Sequence, residues 1–349
     1  MLPYVSIVIV NYNGLSFLKK CLPSILEINY PREKYEIIMV DNASTDNSVD
    51  YVRRKFPYVK IIKLARNYGF TGGCNIGAKC SSGDFIFFLN NDTVVDKNCL
   101  IEAVKVMLRN DKIAICGSKV ISLRDFTIQY GGGFLHYMGD VIYVPISEEK
   151  IKRDYLLVGS ICGASFLIRR RVFWEIGGFD DSYFAYSDEV DLCHRAWLAG
   201  YYVMYCPKSI VYHYGGGTAG QLITGKNTLL YSRLLSPLKI FYGNRNSLIN
   251  IMKNFELKNM FLGLFISFFL FIFQLLLILK KLEVKKDKCI KLLISAYIWP
   301  LRHLKIVFKK RAFIQTRRKR SDRELVMKRV CLPLSLLVRL VFRYVQKQG

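Results

Sequence analysis

Ten cysteines occur in this chain, yet none pairs in a CxxC motif, and Cys74 and Cys80, with five residues between them, have no nearby histidine. A zinc site or a disulfide framework is therefore not expected, and reduced thiols in a cytosolic setting fit better. No GxGxxG follows the first apolar run and no GxxxxGK[ST] occurs, so neither a dinucleotide oxidoreductase nor a P-loop enzyme is supported. The opening MLPYVSIVIV has no basic stretch ahead of it, so a signal peptide is not expected. No internal repeat is visible. Acidic residues are scarce: 27 Asp/Glu against 52 Lys/Arg give a net charge of +25 over 349 residues. From Lys280 to Gly349 there are 21 Lys/Arg and four Asp/Glu, a net +17, which leaves +8 for the first 279 residues. The basicity belongs to the tail, and its natural partner is anionic, either lipid head groups or nucleic acid. With 52% hydrophobic and 14% aromatic residues the chain is too apolar for disorder and rich for a purely soluble enzyme.

What is present is a series of short apolar runs, each ending in polar turn residues. Val5–Val10 ends in Asn11-Tyr12-Asn13-Gly14, Glu36–Val40 in Asp41–Asp46, and Val59–Leu64 is followed by the glycine-rich Arg66–Gly73. Phe85–Leu89, apolar without a break, empties into Asn90-Asn91-Asp92. Helical stretches at Leu15–Leu26, Ser48–Phe56, Cys74–Cys80 and Asn98–Arg109 alternate with these runs, and Ile113–Val120 supplies a fifth strand. This alternation predicts an α/β fold with a mostly parallel sheet. After Gly131-Gly132-Gly133 the segment to Pro145 looks like irregular hairpins. Beyond it lie a strand at Gly163–Ile168, a helix at Glu189–Leu198, and short strands at Tyr202–Cys206 and Ile210–Tyr212 that lead to His213.

In an open α/β sheet, ligands sit beyond the carboxyl ends of the strands. The loops there offer what a nucleotide needs. Asp41 can accept from a base edge or ribose hydroxyls, a glycine-rich loop lets backbone N–H groups approach phosphate, and Asp92 can hold a diphosphate through a divalent metal. Taken alone, Asn90-Asn91-Asp92 is equally a turn. The second constellation is Ser187-Asp188-Glu189-Val190-Asp191, three carboxylates at a helix start. Dipole stabilisation accounts for any one of them. A neutral hydroxyl nucleophile needs a base, however, and crowded like charges push one carboxylate toward the working pH. His213, between an apolar strand and a triple glycine, is either structural or a metal or phosphate contact.

Met260–Leu279 is apolar except for Ser267 and Gln274, about 30 Å long as a helix, and followed at once by Lys280-Lys281. Leu292–Leu301 is too short to span and contains Pro300, while Val330–Val345, with Arg339 and Arg343 on one face, has an interfacial pattern. A single crossing would put the basic tail opposite the N-terminal part, so a monotopic or hairpin attachment is favoured. The expected organisation is residues 1–222 catalytic, 223–258 a helical connector, and 259–349 a hydrophobic and basic membrane-associating helical region.

In order, SIVIVNYN (Ser6–Asn13), VDNASTD (Val40–Asp46), RNYGFTGGCNIG (Arg66–Gly77), FLNNDTVV (Phe88–Val95), GGFDDSYFAYSDEVDLCHRAWLAGY (Gly177–Tyr201) and VYHYGGGT (Val211–Thr218) resemble the family-2 glycosyltransferases, nearest the rhamnosyltransferase-like branch of polysaccharide-assembly enzymes. The resemblance covers about two-thirds of the chain. It implies a GT-A fold, a nucleotide-sugar donor, Mg²⁺ or Mn²⁺, and inversion at the anomeric carbon. Asp41 then matches the acid that reads the nucleotide, with Asn11, Asn42, Asp46, Asn67, Gly69 and Asn91 lining the donor site. Asp92 matches the last acid of a metal-binding Asp-x-Asp whose first position is here Asn90. His213 matches a histidine on the diphosphate side and joins Asp92 as a metal contact. Asp188-Glu189 matches the family's Glu-Asp pair with the residue types exchanged, so Glu189 is the expected base and Asp188 the reserve. The missing Gln-x-x-Arg-Trp implies transfer of single sugars. With the apolar and basic tail, the expectation is an enzyme on the cytoplasmic face of the cell membrane, bound to anionic lipid and acting on a lipid-linked saccharide, with no nucleic acid as partner. The competing expectation is a catalytically weak nucleotide- or nucleic-acid-binding protein whose tail, around Arg317-Arg318-Lys319-Arg320, is the contact.

Overall fold

The structure is a computed structural model. It describes residues 1–143, 154–215, 236–281, 286–336 and 339. The sequence expectations for residues 144–145, for the triple glycine beyond Gly215, for residues 223–235 and for most of Val330–Val345 lie outside the described residues.

The chain forms two compact units. The first comprises residues 1–133, 143–196 and 201–217; the second, residues 134–142, 197–200 and 218–349. The first unit is built on β1 (Val5–Asn11), β2 (Tyr35–Asp41), β3 (Lys60–Lys63) and β4 (Phe85–Asn90), which are parallel in the order β3-β2-β1-β4. The central residues of β1, β2 and β4 are buried on both faces, and so these strands are near-continuous apolar runs, whereas β3 at the sheet edge is half-exposed. Helices α1 (Leu15–Leu26), α2 (Ser48–Lys55) and α3 (Gly69–Lys79) make the crossovers. Beyond β4 come β5 (Thr93–Val95), α4 (Cys99–Leu108) and β6 (Ile113–Ser122).

The expectation of a mostly parallel sheet holds for the first half only. β11 (Ser165–Arg169) inserts between β4 and β6 and is antiparallel to both. On the far side of β6 lies β12 (Tyr202–His213), parallel to it. β12 is one strand rather than the two expected, with its register broken between Cys206 and Ile210, where Pro207 removes a ladder donor. β7 (Ile128–Tyr130) pairs with β6, β8 (Gly133–His136) with β9 (Asp140–Tyr143), and β10 (Leu156–Leu157) with β12. Two more helices, α5 (Arg170–Glu175) and α6 (Asp188–Leu198), complete the series.

A second correction concerns the glycines. α3 begins at Gly69, not at Cys74. A Cβ on Gly73 would lie 2.7 Å from Val10 Cγ1, and one on Gly77 would lie 2.3 Å from Val8 Cγ1. These glycines let the helix lie close on β1, so a run that looks like a loop in sequence is a helix under a packing constraint.

The second unit contains α7 (Asn244–Asn254), α8 (Leu257–Lys281), α9 (Lys286–Arg302), α10 (Leu304–Gln315) and α11 (Asp322–Met327). α9 carries Pro300 inside its last turn. Basic side chains tie these helices together. Arg311 donates to the carbonyls of Met252 and Phe255, and Arg318 to the Asn254 carbonyl and Asp322. α8 has an inverted polarity. Its buried positions include Gly263, Ser267 and Gln274, whereas Phe261, Phe265, Phe268, Phe269 and Leu276 are 55–65% exposed.

Candidate active site

At the carboxyl end of β1 and β2, Asn11 stands in register with Asp41. Asn11 Nδ2 donates to Asp41 Oδ1 at 3.1 Å and to Ser48 Oγ at 3.0 Å. Asp41 is fully buried, and its other oxygen accepts from the Ser44 N–H at 3.0 Å. Asn13, with φ 51°, accepts from the Thr45 N–H at 2.7 Å, and Ala43 has φ 62°. Asp41 therefore lies beneath the rim and fixes the turn that forms it. Asp46 accepts from the Leu15 N–H at 2.9 Å and from Ser48, which joins the N-termini of α1 and α2. Those hydrogen bonds outweigh burial and hold its carboxyl below the usual range.

Asn42 Nδ2 donates to the Gly69 carbonyl at 2.9 Å, and Asn67 Oδ1 accepts from the Gly69 N–H at 2.8 Å. Gly69 has φ +74°, and a Cβ there would lie 2.4 Å from the Phe184 carbonyl oxygen. The Phe70 N–H donates to that same oxygen at 2.8 Å. The glycine is needed for this close approach, and both N–H groups are engaged within the protein.

At the end of β4, Asn91 Nδ2 donates to Asn11 Oδ1 at 2.8 Å, which ties this turn to the first. β5 pairs antiparallel with the end of β12, Thr93 opposite His213. That pairing carries Asp92 Oδ1 to 3.2 Å from His213 Nε2. On the other side of the ring, His213 Nδ1 lies 3.0 Å from Gln129 Oε1. A carboxamide oxygen only accepts, so Nδ1 donates to it, and Nε2 is the ring atom turned toward Asp92.

Asp92 Oδ1 and His213 Nε2, 3.2 Å apart, could share a cation in place of a proton. Cis ligands of an octahedral ion with bonds of about 2.1 Å lie about 3.0 Å apart. Asp92 and His213 thus fit a divalent metal. Among the described residues no cluster of three or more His, Cys, Asp or Glu ligands forms, so further ligands would come from donor phosphate and water.

The Asp188-Glu189 pair opens α6, just after Tyr186 and Ser187, which hold φ of 72° and 55°. Two such non-glycine residues in succession are strained backbone of the kind found at functional sites. Asp188 is buried, and burial pushes its carboxyl up to about 7, with the Asp191 charge adding to the rise and the backbone N–H groups of Asp188 and Tyr186 opposing it. Asp191 is paired with Arg195 at 2.8 Å. Glu189 is half-buried, and its Oε1 lies 3.1 Å from the Tyr143 hydroxyl.

Three residues ahead of β11 join the two constellations. The Ala164 carbonyl accepts from the Asn90 N–H at 2.9 Å, a Cβ on Gly163 would lie 3.6 Å from Glu189 Oε2, and the Cys162 thiol is pushed up by burial and also by the charges of Glu189, Asp92 and Asp188. Asn91, Asp92, His213 and Glu189 are therefore connected along one rim, with Asp41 and Asn11 buried beneath it. Gln129 and Tyr143 were not singled out from sequence; each stands alone on a short strand without a motif around it.

Residues 6–177 match the family described as Glycosyl transferase family 2. Among curated proteins the chain is similar to N-acetylgalactosaminyltransferase 6 of Drosophila melanogaster, 27% identical over 61% of this chain and 34% of the relative. It is also similar to glycosyltransferase AglE of Haloferax volcanii, 26% identical over 57% and 63%. The matches thus span between a third and two-thirds of those relatives' length. Among solved structures it is similar to mannosyltransferase PcManGT from Pyrobaculum calidifontis in complex with GDP-Man and Mn²⁺, with TM-score 0.54, 16% identity, and coverage of 91% of this chain and 86% of that one. TarS 1-349 of S. aureus in complex with UDP-GlcNAc gives TM-score 0.56 and 15% identity, covering 90% and 91%. With its β3-β2-β1-β4 sheet, its Asn90-Asn91-Asp92 turn and these likenesses, the chain has the GT-A fold, and its residues 6–177 carry the match to glycosyltransferase family 2.

Proposed function

We propose that this protein moves a single sugar, with inversion, from a nucleotide-sugar donor to a lipid-linked saccharide at a membrane. The observation that carries the reading is the connected rim, in which the Asp92–His213 pair and Glu189 flank the Cys162–Ala164 segment. The turn from Ala43 to Asp46, fixed by Asp41 and Asn11, meets the nucleoside; Asn42, Asn67, Gly69 and Asn91 shape the same rim. Asp92 and His213 would hold Mg²⁺ or Mn²⁺, which when bound would supply positive charge to neutralise the diphosphate. Glu189 takes the proton of the acceptor hydroxyl, and that oxygen attacks the anomeric carbon from the face opposite the diphosphate. Asp188, 4% exposed, is the reserve candidate for the base because Glu189 beside it is the more exposed carboxyl.

The lipid-linked acceptor rests on α8. Leu257–Lys280 contains an 18-residue window with a mean hydropathy of 2.7 and is long and apolar enough to cross a membrane. A helix in water would turn Ser267 and Gln274 outward and its phenylalanines inward; in α8 Ser267 and Gln274 are buried and four of the six phenylalanines are exposed. Its outer face therefore suits lipid, and exposed Lys280, Lys291, Lys305 and Lys309 suit anionic head groups on the cytoplasmic side. The nucleic-acid alternative loses ground because Arg318 and Arg320 are engaged with backbone carbonyls of their own unit. The test is a donor panel: purified full chain with detergent or vesicles, a set of nucleotide sugars, Mn²⁺ or Mg²⁺, and nucleoside diphosphate release as readout. Metal-dependent turnover of one donor is expected; no binding of any nucleotide sugar would refute the proposal.

A further inference from the structure

The Tyr143 hydroxyl lies 3.1 Å from Glu189 Oε1 and also 3.1 Å from the Ile161 carbonyl oxygen. A phenol has one proton and can donate to only one of them at a time. A carbonyl can only accept, whereas the carboxyl of Glu189 accepts when ionised and donates when protonated. The ring is held in place by Tyr130, whose centroid is 4.7 Å away in an edge-on contact, and Tyr130 itself packs on Val120, Cys162 and Ala164.

We propose that Tyr143 is a positioning residue for Glu189, a two-position hydroxyl that serves the carboxyl in both of its protonation states. This rests on Glu189 being the base. Before the reaction Tyr143 donates to the Glu189 carboxylate, fixing its rotamer and favouring the charged form. When the proton of the acceptor hydroxyl passes to Glu189, the Tyr143 O–H turns to the Ile161 carbonyl, and the new carboxylic acid donates to the tyrosine oxygen. One proton moves, from acceptor to Glu189; the tyrosine keeps its own. Among the described residues, the groups that face Glu189 include Tyr143 and Tyr130 from β9 and β7, Cys162 ahead of β11, and Asp188 and Cys193 from its own helix. Of these, the Tyr143 hydroxyl lies within hydrogen-bond distance of the carboxyl and favours its ionised form by donating to it.

The experiment is Tyr143→Phe, which removes only the hydroxyl. Donor affinity, kcat, donor KM and the pH dependence of kcat are measured on the full chain with the donor identified by the panel. The expected result is retained donor affinity, which reports the fold, kcat lower by about tenfold or more, donor KM within about twofold, and an acid limb moved to higher pH. A kcat within twofold of wild type, a loss confined to KM, or an unmoved acid limb would overturn the proposal. Glu189→Gln in the same assay reads the base assignment separately. If it turns over at the wild-type rate, the base assignment fails whatever Tyr143→Phe does; if it collapses while Tyr143→Phe is silent, the positioning role alone fails.

Discussion

Replacing Phe265 and Phe269 together with serine tests the reading of α8 directly. The two rings are 62% and 55% exposed and touch each other, with centroids 4.9 Å apart. A phenylalanine of about 200 Å² so exposed leaves about 120 Å² open, or about 240 Å² for the pair. At about 25 cal/mol per Å² this area is worth about 6 kcal/mol on transfer into lipid. Allowing for the ring–ring contact and the surface serine retains, a loss of about 3–6 kcal/mol is expected, a fall of about 10²–10⁴ in the partition coefficient. The assay is flotation with vesicles containing anionic lipid, repeated at high salt so that attraction to Lys280 and its neighbours is screened. Because both rings lie outside the core, the melting temperature should change little. A variant that floats as the wild type does, or one that loses its fold, would refute the inverted-polarity argument.

Two further outcomes follow from the site. Gln129→Ala removes the acceptor that fixes the His213 tautomer, so Mn²⁺ affinity in the presence of nucleoside diphosphate should fall about 10–100-fold; an unchanged titration would remove Gln129 from that role. Asp188 is raised by burial to about 7, so the native state binds more protons than the unfolded chain between about pH 4 and pH 7. Its contribution to stability is full below that window and is lost as pH rises through it. Asp188→Asn should therefore melt higher than wild type at pH 8, with the difference shrinking toward pH 5; parallel melting profiles would contradict this.

Much of the parallel half of the sheet was legible because its central strands β1 and β4 are apolar runs closed by turn residues. Leu15–Leu26 and Phe85–Leu89 could be delimited almost to the residue for that reason. The insertion of β11 between β4 and β6 was not legible, since strand order depends on long-range pairing that leaves no mark in local periodicity. The start of α3 was hidden because glycines are the usual sign of a loop; here they relieve contact with Val8 and Val10. In the site, Asp92 and His213 could be named from motifs, but their common place depends on β5 meeting the end of β12 across 120 residues. Gln129 and Tyr143 lie on short strands, and no motif marks them. One signal was present and unused: Gly263, Ser267 and Gln274 are spaced four and seven residues apart, which puts the small and polar positions of α8 on a single face. That spacing separates an inside-out helix from one that is merely apolar all round.

The measurement that bears most directly on the rim as a catalytic centre is Glu189→Gln, with donor affinity and transfer rate determined on the same preparation. The account predicts donor affinity within about twofold of wild type and a transfer rate lower by about 10²–10⁴. Turnover at the wild-type rate would contradict it, because the acceptor hydroxyl would then be losing its proton to some other group.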